Sequence, residues 1–522
     1  MKACVLMLLA GLTVHGAEEY VVEDILTGNT SSSSRSKDWK PGAGLAFEVS
    51  GMDWIAPGRL AVAIRKGEVW IVDGVLDGKP EALKMTRYAS GLHEPLGVLR
   101  DGDSLLVTQR TETTRLRDMD GDGVADLYAS AGRGWGVSGS YHGYAYGPKR
   151  DGAGRNWVSL NVDMGDHSDN RRGWRGWAGV LTSEGGFEPM AAGMRSPCGL
   201  GANLAGDMFC VDQQGTWVPA TPIYHLRRGV FFLNPEGIGS QELAGSPLRL
   251  SAKVPEKMLY PEAMKLVPEM RPPAVWLPYN KMGRSGTDLA VCPGGGDLGP
   301  SVPSSPSSPS SPSSPSSPSV GSGPFGPFGG QLMVGEFTDA GINRVFLERV
   351  EGEYQGAAFP FLKGLASGVV RLLFGEDGSL LVGMTSRGWS SLGTKAYGLQ
   401  RVRWTGRTPF AIQEMRALPD GFELRFTAPV DPGTAGAVSS YAMSRFTYWY
   451  SGAYGSEEMD TAPCPVKEAV LGPDGRTVRL RVEGLRELYV HELRAAGVRS
   501  AAGAALEAPD AYYTLNRIPK PR

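Results

Sequence analysis

From residue 57 onward a turn glycine followed by a short apolar run keeps returning. It reads "PGRLAVAI" near residue 57, "DGDSLLVTQ" near 101, "GAGRNWVSL" near 152, "AGDMFCVDQ" near 205, "GGQLMVGEF" near 329 and "EDGSLLVGM" near 376. Runs of this length, rich in aliphatic residues and bounded by Gly and Asp, predict strands rather than helices. Most recurrences lie roughly 45 to 52 residues apart, the length of a four-stranded blade, so six of them predict a six-bladed β-propeller. The long interval from about 205 to 329 holds the insertions. Within it "SVPSSPSSPSSPSSPSSPSVGSGP", residues 301–324, has almost nothing to bury and predicts a disordered, solvated loop. Its flanks "LAVCPGGGDLGP" and "FGPFGGQLMVGE" read as consecutive strands of one blade.

After "GLQRVRWTGRTPF" the texture changes. "GFELRFTAPVDP", "RTVRLRVEGL", "ELYVHELRAAGVRS" and "DAYYTLNRIP" alternate apolar and polar positions between Gly, Pro and Asp turns, which predicts a small Ig-like antiparallel sandwich. The organisation expected is therefore all-β: a propeller over 18–408, a sandwich over 409–517 and a tail at 518–522. Helical periodicity is scarce, with "PEAMKLVPEM" the best short candidate.

The beginning "MKACVLMLLAGLTVHGAEEY" has a lysine, a short apolar stretch and small residues near Gly16 and Ala17. It reads as a signal peptide over 1–17 that is cleaved on export, leaving a secreted or periplasmic protein with no membrane span. A hydrophobic content of 41% with 12 Trp suffices for two sizeable cores. The net charge of −2, without a basic stripe, argues against nucleic acid as a partner. Export permits disulfides, so Cys198 and Cys210 can be read either as a bridge or as buried thiols. The absence of C-x-x-C-H excludes covalently attached c-type haem in this chain.

The stretch "LRDMDGDGVADLY" places Asp118, Asp120, Asp122 and Asp126 at the first, third, fifth and ninth positions of a calcium loop. The twelfth position is Ala129 instead of a bidentate Glu, and the flanks read as strands. A calcium staple in a connection of the second blade is expected, not a sensor; the bland alternative is a solvated acidic turn.

A propeller gathers one loop from each blade around a single axis, so its site should be scattered along the sequence. His142 in "GVSGSYHGYAYGP" precedes a strand of the third blade and suits a general base, against the alternative of a structural histidine. Arg195 in "GMRSPCGLG" sits on a turn where a guanidinium can clamp an oxygen. Gln213, Gln214 and Gly215 follow a strand end. Arg110, Arg371 and Arg387 add positive charge near the axis if they converge. Trp389 offers a stacking face, although a buried position is the commoner one. His93 and His167 lack partners at useful spacing, and His225 and His491 read as ordinary loop and strand residues.

In this order, "GLHEPLGVL … SLLVTQR … YHGYAYGP … GMRSPCGLG … DQQGTW … SGVVRLLFGEDGSLLVG" resembles the six-bladed propellers of the soluble glucose/sorbosone dehydrogenase family. It is similar above all to their large secreted relatives in planctomycete and verrucomicrobial bacteria, which often carry a haem c domain. The likeness spans residues from about 45 to 405. It implies pyrroloquinoline quinone (PQQ) as cofactor, held through calcium, and a sugar or other small polyol as substrate. It further implies His142 as catalytic base with Arg195 as clamp, and Gln214, Gly215, Arg371, Arg387 and Arg110 around the cofactor. Electrons would leave to a separate acceptor such as a cytochrome c or a diffusible quinone. The chain departs from the family at Tyr141, where an acid precedes the base, at Ser196 in place of Asn, and at Thr338 and Asp339 near the position of a cofactor-contacting Lys.

Two readings follow: a secreted, calcium-containing sugar or aldose dehydrogenase, or a non-catalytic propeller that binds carbohydrate or a cell surface. A calcium-dependent lactonase would need a ring of converging acids that the sequence does not supply.

Overall fold

The computed structural model describes residues 19–27, 33–34, 46–77, 82–165, 170, 173–294 and 323–521. The N-terminal segment read as a signal, most of the Ser/Pro tract and His167 lie outside them. The fold is nearly all-β, with 47% strand and 4% helix. The helix expected at "PEAMKLVPEM" is Tyr260–Leu266, with Pro261 in its first turn, where a missing N–H costs nothing.

Six antiparallel sheets follow one another along the chain. The first is Val49–Ala56, Arg59–Ile64, Glu68–Asp73 and Lys84–Ala89. The second is Val98–Asp101, Ser104–Thr108, Thr113–Arg117 and Leu127–Gly132. The third runs from Ala145–Arg150 through Asn156–Leu160 and Trp177–Leu181 to Phe187–Ala192. Gly199–Ala202, Met208–Val211, Thr221–His225 and Val275–Leu277 make the fourth. Gly286–Val291, Leu332–Glu336, Gly341–Val350 and Glu353–Leu362 make the fifth, whose first two strands flank the Ser/Pro tract. In the sixth, Val369–Phe374, Leu380–Thr385 and Tyr397–Trp404 are completed by Tyr20–Thr27 from the far end of the chain. All six recurrent glycine-led runs form the second strand of their sheet.

The first strands touch in cyclic order, each against the next, and Val369–Phe374 of the sixth returns to Val49–Ala56 of the first. Such close approach needs glycine. A Cβ on Gly97 would lie 2.1 Å from the Gly147 carbonyl oxygen, and one on Gly51 would lie 2.6 Å from Gly97 Cα.

Beyond residue 408, Ile412–Leu418, Gly421–Phe426, Thr477–Val482 and Val466–Leu471 form one sheet. It faces a second made of Ala442–Tyr450, Tyr489–Arg494 and Asp510–Leu515. This second sheet is continuous with the fifth sheet of the ring, because Asp510–Leu515 pairs with Glu353–Leu362. The core between the two layers accordingly includes Phe346, Ala357 and Phe359 of the ring beside Phe422, Leu480, Leu493 and Tyr513. Cys198, Cys210, Cys292 and Cys464 are free, buried thiols. Among the described residues no helix is long and apolar enough to cross a membrane.

Candidate functional site

A cavity of about 120 Å³ opens at the end of the ring where first strands begin and second strands finish. Every sheet contributes to its wall: Glu48 and Arg65 flank strands of the first, Leu96 precedes the second, and Tyr144 and Tyr146 belong to the third. Cys198 and Gln213 come from the fourth, Phe337 from the fifth, and Thr385 and Arg387 from the sixth. This is the scattered, one-loop-per-sheet arrangement that a ring of sheets imposes.

Arg371 closes the floor. It is buried, and its guanidinium donates to the carbonyls of Ser50 at 2.9 Å, Val370 at 2.7 Å, Leu96 at 2.6 Å and Cys198 at 3.3 Å. One side chain thus ties backbone from four sheets across the axis. The void beside it, lined by Gly51, Gly97, Asp288 and Arg371 among others, is only about 10 Å³, room for at most one water. Arg371 is committed to the ring itself and leaves little for a ligand.

The mouth is ordered by arginines and two carboxylates. Glu94 takes both Arg110 and, at 3.3 Å, Arg65. Arg110 also donates to the carbonyls of Ser140, at 3.0 Å, and Tyr141, so it clamps the turn that carries His142. Arg65 reaches the Tyr141 hydroxyl at 2.8 Å and the Tyr144 hydroxyl at 2.6 Å. Burial pushes the Tyr144 phenol up, whereas a hydrogen bond from Tyr144 and the charge of Arg65 draw the exposed Tyr141 down. Arg387 donates to Glu48 at 2.6 Å.

His142 stands exposed on this turn, edge-on to Tyr141 with ring centroids 5.3 Å apart. Partial desolvation, then the charges of Arg195 and Arg110, hold its imidazole below the ordinary histidine value, which favours the neutral form. Beneath the turn lies the buried pair Asp163–Arg175, 3.7 Å apart.

Arg195 is held by the backbone it grows from. Buried Asp212 accepts the N–H groups of Arg195, Ser196 and Gln213 at 2.8, 2.6 and 2.8 Å, and its burial still pushes its carboxyl up to about 6. The Arg195 guanidinium lies 5.3 Å over the ring of Tyr454, which belongs to the C-terminal sheets. Gly215 makes room for it: a Cβ there would lie 2.0 Å from Arg195 Nε. The Gly215 carbonyl already accepts N–H groups from Gly455 at 3.0 Å and Val218 at 3.1 Å, and that of Gln214 accepts Arg195 at 3.4 Å. Both lone pairs of the Gly215 carbonyl are thus in use, whereas that of Gln214 keeps one. Three guanidiniums, Arg65, Arg110 and Arg387, stand against the two carboxylates Glu48 and Glu94, which leaves the mouth an excess of positive charge.

The acidic stretch lies elsewhere, on the outer hairpin of the second sheet between Thr113–Arg117 and Leu127–Gly132. Oxygens of Asp118, Asp120 and Asp126 lie within 4.8 Å of one another. Asp122 stands outside that group and accepts the Val124 N–H at 2.8 Å. Asp118 accepts Gly121 and Gly123 at 2.7 and 2.8 Å, and the Gly123 bond leads the effects that hold its carboxyl low.

Glu48, Arg65, Glu94 and Asp212 are site residues that the sequence does not single out, whereas Tyr144 and Tyr454 lie in tyrosine-rich stretches that offer stacking surface. For Arg65 a signal existed. It follows the second strand of its sheet as Arg110 and Arg387 follow theirs. Trp389 is 59% exposed, not buried, while His93 is exposed and His225 and His491 are buried in strands.

No protein-family model matches the chain, and no curated protein is similar to it in sequence. Among solved structures it is similar to an oxidoreductase described as a glucose dehydrogenase from Thermus thermophilus, at 16% identity and TM-score 0.45 over 73% of this chain and 99% of that one. It is likewise similar to the PQQ-bound aldose sugar dehydrogenase of Streptomyces coelicolor, at 13% identity and TM-score 0.43 over 74% and 99%. The PQQ domain of pyranose dehydrogenase from Coprinopsis cinerea gives 12% identity and TM-score 0.45 over 74% and 95%.

Proposed function

We propose that this chain is a secreted six-bladed β-propeller with an Ig-like sandwich, acting as a sugar-directed oxidoreductase of the quinoprotein dehydrogenase type. The observation that carries this reading is His142: a solvent-facing imidazole on the turn that Arg110 clamps, two residues before Tyr144 of the cavity wall, with Arg195 and Arg110 favouring its neutral form. A neutral imidazole accepts a proton at pH 7 without first losing one.

In this reading His142 takes the hydroxyl proton of the sugar. Arg195 steadies the negative charge that develops on that oxygen, which a preorganised cation does best in a partly dry site. Arg387, half exposed and bonded to Glu48 through Nε, holds an anionic cofactor on its outer side, while Arg65, tied to Glu94, Tyr141 and Tyr144, orders the mouth. Pyrroloquinoline quinone, when bound, supplies the two-electron acceptor. The Gly215 carbonyl is not assigned a calcium, because its lone pairs are spent. Calcium is assigned to Asp118, Asp120 and Asp126, as a staple remote from the chemistry.

Titration of the purified protein with pyrroloquinoline quinone, followed by calorimetry and then by sugar-dependent dye reduction, tests this. Stoichiometric binding and turnover are expected, and His142→Ala should lower turnover about 10²–10⁴-fold, the usual worth of a positioned acid or base. Retained turnover in that variant removes His142 as the base. The second reading, a carbohydrate-binding propeller, is favoured by the exposed rings of Tyr141, Trp389 and Tyr454, at 55, 59 and 59%. It predicts glycan affinity without quinone and without His142.

A further inference from the structure

The carboxylate of Glu48 is the least satisfied group in the cavity. Its side chain is 5% exposed, at the start of the first strand of the first sheet. Oε1 accepts from Arg387 Nε at 2.6 Å and from the Thr385 hydroxyl at 3.4 Å. Oε2 is buried and has no hydrogen-bond partner among the described residues. A desolvated carboxylate oxygen without a donor costs on the order of 1–3 kcal/mol, and buried polar atoms left this way are rare. Neighbouring cations do not relieve it: Arg65 is spent on Glu94, Tyr141, Tyr144 and the Arg387 carbonyl, and Arg371 on backbone.

The space beside Glu48 far exceeds the ~10–15 Å³ that one water needs, at about 120 Å³. Its wall combines apolar faces, Val49, Leu96 and Phe337, with polar edges at Tyr144, Gln213 and Arg387. A ligand that satisfies all of this has a flat apolar face and a rim of groups that both donate and accept. An anionic group against Glu48 would be repelled, and an apolar one would leave Oε2 unpaired.

We infer that Glu48 Oε2 is the acceptor for a hydroxyl of a neutral polyhydroxylated ligand, and that it sets which hydroxyl pattern the cavity takes. This rests on the sugar-directed reading for its choice of ligand but requires neither quinone nor oxidation.

The experiment is a calorimetric titration of the unaltered full-length protein with glucose and its 2-, 3- and 6-deoxy derivatives, without cofactor, repeated on Glu48→Ala and Glu48→Gln. In the unaltered protein one deoxy sugar should bind about tenfold or more weakly than glucose, the price of leaving a buried charged acceptor unmet. Glu48→Ala should erase that one difference while the other deoxy sugars keep their ranking. Glu48→Gln, which keeps the volume and an acceptor oxygen, should restore part of it, less strongly because the bond is no longer charge-assisted. A purely structural Glu48 would weaken all four sugars together or none of them. That outcome overturns the inference and leaves the proposed function standing. Failure of the unaltered protein to bind any of the four sinks both.

Discussion

His225 and His491 are buried in the strands Thr221–His225 and Tyr489–Arg494, and burial, the leading cause, holds their imidazoles at about 4 and about 3. For His225 the adjacent charge of Arg227 adds to burial and together they outweigh Asp207, 3.9 Å away. A folded value below the unfolded one means that the unfolded chain takes up the proton first. The stability these residues contribute is therefore whole above about pH 6.5 and is lost as the pH falls through about 4 and then about 3. At about 1.4 kcal/mol per unit, the loss between pH 6.5 and 4 is on the order of a few kcal/mol for each of the two. Denaturant melts over that range should show it. His225→Gln, an uncharged residue of similar size, should shallow the acid slope, and an unchanged slope would exclude His225 from it. His142 is depressed too, but it faces solvent at the mouth, so its titration should appear in ligand binding or turnover, below the ordinary histidine range, rather than in the melt.

Between residue and fold, the loop Asp118–Asp126 joins the largely buried strand Thr113–Arg117 to the exposed outer strand Leu127–Gly132. Three converging carboxylates repel one another in an empty loop and are relieved by a cation. Chelation should therefore lower the melting temperature by a few degrees, readable by calorimetry, and leave sugar affinity at the distant cavity unchanged; an unmoved melt rejects the staple. How much could be read beforehand differs by element. Each glycine-led apolar run was legible because a strand between two neighbours must be apolar on both faces, and all six fell on second strands. The arginines after those strands were legible only in part. Arg110 and Arg387 each stand two residues past the strand, whereas Arg65 follows its strand directly, so only the shared strand end marks it. Glu48 and Glu94 carry no local signal, because what distinguishes them is contact across 16 or more positions, as in the pairing of Glu94 with Arg110 and Arg65 or of Glu48 with Arg387. The role of Gly215, too, depends on a side chain twenty positions earlier, Arg195, lying where its Cβ would be.

At the scale of the molecule the ring and the C-terminal sheets share structure at many places, of which three bear on the fifth sheet and on Arg195. Asp510–Leu515 extends the fifth sheet. Buried Arg344, between the rings of Phe328 and Phe359 at 4.3 and 4.0 Å, donates to the carbonyls of Ile412 and Gln413. The turn at Ala453–Ser456 lies along Gly215–Pro219, with Trp217 N–H donating to Ala453 and Ser456 N–H to Pro219, which places Tyr454 over Arg195. A chain ending at residue 408 would keep the strand that closes the ring. It would also expose the long edge of Glu353–Leu362 and the apolar side chains of Phe346 and Phe359, the kind of unpaired edge that recruits other chains. Such a truncation should therefore aggregate or melt at least about ten degrees lower. A monomeric product with an unchanged melt would show that the ring does not depend on the sandwich. Tyr454→Ala in the full chain separates support from function. Its ring is mostly exposed, so the melt should hardly move, while affinity for a ligand seated at Arg195 should fall several-fold because the stacked wall is gone. If affinity is unaffected as well, the sandwich serves the site only as a buttress, and the ligand is bounded by the ring alone.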